Sequence, residues 1–336
     1  MASIAWIIFG TILIINSAAS IVQYWPSNRK CYCVSIANIC SPNIQFLDYF
    51  CNPYSQAYCR ENEIQYCDIP EGTISETCGM KKMTMMHKLT VGQVEVGEYP
   101  WQVVILKKRQ YDTGYTYIST GVLINKKHVL TAVHEIDLVD ISDLIIRLGE
   151  WDLLSNEEIC SEQDYHPIKI IKHPGYNIHT LENNIALIIL DRIVPLATSP
   201  HINTVCVHSG PIQLLPSLRR CWVAGWGSSQ PLAPATKRLR NVNIPIVNRT
   251  ACQQSFQKIL GNSYQLPENI LCAGEGKMDP CIMDEGAPLV CQSVSGEMNV
   301  VGLVSASTGC QKNVPSLFTD VSKFTSWIHQ QVFEHY

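Results

Sequence analysis

The chain has 336 residues, 46% of them hydrophobic and 16% charged, with 15 cysteines, which is enough apolar material for one large core and a small second unit. A formal charge of -4 and a pI near 6.2 leave no basic field to gather phosphate backbones, so nucleic acid is excluded as an expected partner.

In chain order, residues 1–20, MASIAWIIFGTILIINSAAS, form an apolar run ending in small residues suited to signal peptidase near Ala19 or Ser20. The weakly charged start leaves a short membrane anchor as the alternative. No later segment is apolar for long enough to span a bilayer, so the mature chain is expected to have no membrane span. Cysteine-rich sequence behind a leader implies an oxidising compartment and disulfides, hence a secreted, extracellular protein.

Seven cysteines (31, 33, 40, 51, 59, 67 and 78) crowd into residues 21–78. This small domain has too few apolar residues for its own core and must be stapled. Six of the seven could close three internal bridges, whose connectivity spacing does not reveal. Residues 79–88, GMKKMTMMHK, lack strand alternation and read as an exposed linker with Lys81, Lys82 and Lys88 as cleavage points.

From Leu89 onward, short alternating runs such as WQVVILKK, LIIRLGEW, NIALIILD and NVVGLVS are separated by turn-rich loops, an all-β reading. The last segment, DVSKFTSWIHQQVF, sets Val321, Phe324, Trp327, Ile328 and Val332 at helical spacing. A single closing helix is predicted, capped near its start by Asp320 or Ser322.

The strings PWQVVIL, GVLINKKHVLTAVHE, NNIALIIL, CWVAGWG, LCAG, CIMDEGAPLVC and FTDVSKFTSWI resemble, in order and spacing, a chymotrypsin/trypsin-like serine protease domain. The resemblance implies two six-stranded antiparallel β-barrels with the active site between them and a C-terminal helix, here over residues 89–336. The leading segment resembles the clip domain of arthropod secreted proteases and their inactive homologues, on the spacing of Cys31 and Cys33 and the closing Cys78 and Gly79.

Residue by residue, the family's catalytic histidine corresponds to His134, its triad aspartate to Asn184 and its nucleophilic serine to Glu285. Asparagine cannot hold the charge that orients the imidazole, a change that costs about ten-thousandfold in turnover in the serine protease template. A carboxylate attacking a peptide would form an anhydride behind a poor amine leaving group, so hydrolysis at Glu285 is not credible. Met283 replaces the glycine of the oxyanion turn, and Asp279 keeps the position that selects Arg or Lys. Asp284 stands where the family receives the new N-terminus after activation, and Lys88 before Leu89 is the nearest cleavage point.

By the same resemblance the bridges are Cys221 with Cys291, Cys252 with Cys272, Cys281 with Cys310, and Cys78 with Cys206. A further family bridge has lost both halves, at Ser119 and Glu135. Cys160 has no family partner, so it bonds another chain or one of the first seven cysteines.

The surviving His134 is either a relic or an ion-pair partner of Glu285. The acidic loop SNEEICSEQD offers Glu150, Glu157 and Glu162 as calcium ligands by analogy with relatives, against the alternative of a solvated loop; no other cofactor or metal is expected. Asn248-Arg249-Thr250 is a glycosylation sequon. The resulting expectation is an inactive clip-domain homologue that regulates an extracellular protease cascade, of the type that activates prophenoloxidase in melanisation. Its partner would be a serine protease, a zymogen, a prophenoloxidase-like protein or a microbial surface. A venom or salivary decoy and an active hydrolase with rearranged chemistry are the alternatives.

Overall fold

The computed structural model describes residues 31–35, 55–59, 77–82, 85–86, 94–154, 160–208, 220–227, 238–274, 284–306 and 314–336. Near the N-terminus, β1 (Cys31–Ser35), β2 (Ser55–Cys59) and β3 (Met85–Met86) form a three-stranded antiparallel sheet in the order β2-β1-β3. Met85 and Met86 pair with Val34 and Cys33.

The exposed linker expected over 79–88 is therefore corrected at two places: Met85–Met86 is a strand, and Lys82 is only 5% exposed. Main-chain pairing needs no side-chain alternation, so the Met run carried no visible strand signal. Lys82 turns inward because its Nζ donates to the carbonyls of Leu196 at 2.7 Å and Ile202 at 3.1 Å.

The first large sheet joins β4 (Gln102–Lys108), β5 (Tyr115–Asn125), β6 (His128–Thr131), β7 (Leu144–Leu148), β8 (Gln163–Tyr165), β9 (Pro167–Lys172) and β10 (Ala186–Leu190). Its order is β8-β7-β4-β5-β6-β10-β9. The two edges, β8 and β9, are separated in the chain by His166 alone, so one run of chain borders both edges and curls the sheet on itself.

The second sheet repeats the device with β12 (Cys221–Gly225), β13 (Arg240–Asn243), β14 (Ile246–Val247), β15 (Ile270–Ala273), β16 (Pro288–Gln292), β17 (Met298–Ala306) and β18 (Ser316–Asp320). Its edges, β13 and β14, are split by Ile244 and Pro245, and proline cannot donate to a ladder. Counting each split edge as one strand turns seven into six in both sheets. A two-residue strand, β11 (Cys206–Val207), adds in parallel to β17.

Strand alternation assigns the cores. Val103 and Ile105 of β4 join the interior cluster with Leu123, Ile146 and Ile188. Val104 and Leu106 face the other way and pack with Trp226, Val300, Leu303 and Phe324. Both faces of β4 are buried, which is why WQVVIL reads as an unbroken apolar run. The closing helix, α2 (Thr325–Glu334), buries Ile328. Asp320 caps the short 3₁₀ turn Val321–Lys323 that precedes it, accepting from Ser322 N–H, rather than capping α2 itself.

The expectation of a single helix is also corrected: α1 (Arg249–Leu260) precedes β15 and buries Cys252 and Phe256. Its signal was present in Asn248 as N-cap and in apolar residues four apart at Cys252, Phe256 and Leu260. No helix among the described residues is long and apolar enough to cross a membrane.

Candidate functional site

His134 follows β6, in a turn where Ile136 N–H donates to the Val133 carbonyl. Asn184, fully buried just before β10, holds that turn. Its Oδ1 accepts from the backbone N–H of Val133 at 2.7 Å and of His134 at 3.0 Å. Its Nδ2 donates to Ser305 Oγ at 3.1 Å. The amide is thus engaged with backbone and Ser305, while the imidazole is directed elsewhere: His134 Nδ1 lies 2.9 Å from Glu285 Oε2 and 3.7 Å from Glu135 Oε1.

Glu285 sits on the turn before β16, and that turn is fixed from several sides. Its carbonyl accepts from Thr120 N–H at 3.1 Å and from Ser119 Oγ at 2.9 Å. The neighbouring Asp284 Oδ2 accepts from the N–H groups of Trp226 at 2.7 Å and Gly227 at 2.8 Å. Gly286 has φ 78°, and a Cβ there would collide with the Thr120 carbonyl, so a side chain is excluded for both steric and backbone reasons.

The electrostatics follow from this packing. The hydrogen bond to Glu285 raises the His134 pKa above 6.5 despite desolvation. Burial raises the Glu285 carboxyl, against the pull of His134, and the nearby Glu135 carboxylate adds to the rise. Burial likewise raises Asp284, opposed by Tyr117 and the two backbone donors.

In the sequence, Ser119 and Glu135 stand only as the two halves of an absent bridge. In the fold they flank the same site, one holding the Glu285 backbone and the other facing His134.

The calcium candidates have a different environment. Arg147 forms a two-pronged pair with Asp164, at 2.7 and 2.9 Å, and also reaches Glu150 at 3.3 Å and Glu162 at 3.7 Å. One guanidinium cation engages all three carboxylates and competes with a hard cation for the same oxygens; Glu157 lies outside the described residues. Met283, Asp279, Lys88 and the pair Cys281 and Cys310 lie outside them as well.

Bridges join Cys78 to Cys206, Cys221 to Cys291 and Cys252 to Cys272. Cys160 is buried and disulfide-bonded. Asn248 is exposed.

Residues 91–328 match the family model described as Trypsin. The chain belongs to the trypsin family. It is 34% identical over 248 residues to inactive CLIP domain-containing serine protease A3 of Aedes aegypti, covering 72% of this chain and 50% of that one. It is 32% identical to inactive CLIP domain-containing serine protease A28 of Anopheles gambiae, covering 71% and 63%. Phenoloxidase-activating factor 2 of Galleria mellonella is 32% identical over 255 residues, covering 72% and 82%. The chain thus spans about half to two thirds of the length of the two inactive relatives. Within the trypsin family it is a clip-domain serine protease homologue, and the names of these two relatives support a non-enzymatic reading.

Proposed function

We propose that this chain is a secreted, non-catalytic clip-domain homologue that binds a protease, its zymogen or a prophenoloxidase-like protein and regulates an extracellular cascade. The observation that carries this reading is the 2.9 Å contact of His134 Nδ1 with Glu285. The residue in the nucleophile's place engages the imidazole, and Asn184 offers that imidazole no charge. A base without a nucleophile or an orienting carboxylate has nothing to deprotonate. The relatives named inactive, and the one named as an activating factor, support a role through binding.

The test combines two measurements on the full chain, intact and after cleavage by a trypsin-like protease. A panel of Arg and Lys peptide substrates and a covalent serine probe should show no turnover and no labelling. Purified prophenoloxidase with its activating protease should change its activation rate when the chain is added. Peptide turnover abolished by His134→Ala overturns the non-catalytic reading, and an unaltered activation rate overturns the melanisation role.

A further inference from the structure

We propose that His134, Glu135 and Glu285 form a zinc-class metal site where the two barrels meet. One donor atom from each, the imidazole Nδ1 and a carboxylate oxygen of each glutamate, lies within 4.8 Å of the others. Zinc takes nitrogen and oxygen donors at about 2.0–2.2 Å, which places neighbouring donors of a tetrahedral site about 3.3 Å apart. The distances from Nδ1, 2.9 Å to Glu285 and 3.7 Å to Glu135, bracket that edge. Small side-chain rotations therefore suffice to converge the three donors on one ion.

The donor chemistry selects the metal. Calcium takes six to eight oxygens, and magnesium keeps several waters around one or two carboxylates, whereas an imidazole among carboxylates suits zinc and its transition-metal neighbours. The three side chains are 40%, 39% and 23% exposed, so an ion can enter and water can complete its coordination.

The ligands' backbones are fixed before any ion arrives. Asn184 holds the N–H groups of Val133 and His134, and Ser119 and Thr120 hold the carbonyl of Glu285. Such a scaffold limits the ordering that binding would otherwise require. Two carboxylates converge on a single imidazole, and a dication neutralises the surplus negative charge. His134 and Glu135 belong to the turn after β6, and Glu285 to the turn before β16. A bound ion would therefore tie the first barrel to the second at the degenerate cleft.

The test uses untagged, full-length protein stripped with chelator, with free thiol alkylated because 15 cysteines cannot all pair within one chain. Titration with zinc chloride, followed by calorimetry and by competition with a chromophoric chelator, should give one equivalent bound. His134→Ala and Glu285→Gln should remove that equivalent, and Glu135→Gln should weaken it by at least about tenfold. Glu135→Gln changes an exposed side chain, so it tests the site even where another variant fails to fold. Anomalous diffraction at the zinc edge should place the peak among the three donor atoms. No binding, zinc stoichiometry and affinity unchanged in the folded variants, or calcium bound in preference to zinc overturns the proposal. Metal stoichiometry and cascade regulation are separate readouts, so either can fail without the other.

Discussion

At the scale of single residues, two histidines are shifted in opposite directions for opposite reasons. His134 gains a carboxylate partner and its pKa rises. Its contribution to stability is therefore present below the unfolded value near 6.5 and fades as pH rises through the raised value. In metal-free protein, NMR titration should place His134 above 6.5, and Glu285→Gln should move it down; an unmoved titration sinks the ion pair. His201 is buried with only its Nε2 bonded, to the Ser161 carbonyl at 3.1 Å. Burial lowers its pKa to about 4. The sign is reversed: its contribution is present above 6.5 and is lost as pH falls toward 4, because the unfolded chain takes up the proton first. The loss is on the order of 3 kcal/mol. Urea midpoints at pH 7 and pH 4 should show it, with a shallower decline for His201→Phe; an identical slope in the variant excludes this histidine as the cause.

At the scale of elements, β7 and β8 are joined by Arg147 as much as by their ladder. Replacing Arg147 by Met removes the cation from Asp164, Glu150 and Glu162, of which Glu150 has a side chain only 4% exposed. Because Asp164 and Glu162 remain partly exposed while Glu150 does not, losing the shared cation should cost about 1–2 kcal/mol. The thermal midpoint of the native protein should not respond to calcium, and a calcium-dependent rise would restore the loop as a cation site. Helix α1 supplies a second case. Asn248 is exposed and its Oδ1 accepts from Thr250 N–H at 2.9 Å, which leaves Nδ2 to carry a glycan. Asn248→Asp should lose the glycan mass yet keep the cap, whereas Asn248→Ala should lose both, with a cap penalty of about 1 kcal/mol. Intact-mass spectrometry and denaturation separate the two; equal stability of the two variants excludes the capping role.

At the scale of the whole molecule, the segment before the linker is fastened to the barrels by more than its disulfide. Cys78 is bridged to Cys206. Asn203 Nδ2 donates to the carbonyls of Thr77 and Met80, and Gly79 exchanges backbone hydrogen bonds with Thr204 and Met298. Lys82 is enclosed by two carbonyls, so it cannot enter the pocket of an attacking protease without local unfolding. Brief trypsin treatment should therefore spare the bond after Lys82. A cut after Lys88 should leave one band without reductant and two with it. An N-terminus beginning at Met83 in the early products excludes the anchored geometry.

The sequence alone determined the barrel domain. Alternating apolar runs, ordered motifs and paired cysteines are local or family-wide signals, and the positions of His134, Asn184 and Glu285 can be read from the strings around them. The strand at Met85–Met86 and the burial of Lys82 leave little trace in composition, because they rest on main-chain pairing and long-range carbonyl contacts, whereas the helix after Asn248 is legible in its cap and in its apolar residues four apart. Only the tertiary structure decided what the altered residues do together. Ser119, Glu135 and Glu285 are spread over more than 160 positions of chain, from 119 to 285, and meet because two closed sheets bring the turns after β6 and before β16 into contact. Spacing along a chain specifies which side chains exist, whereas the direction of an imidazole and the company of a carboxylate depend on packing between barrels. That packing sets Glu285 against Ser119 through its carbonyl and against His134 through its carboxylate, with Glu135 beside the same imidazole.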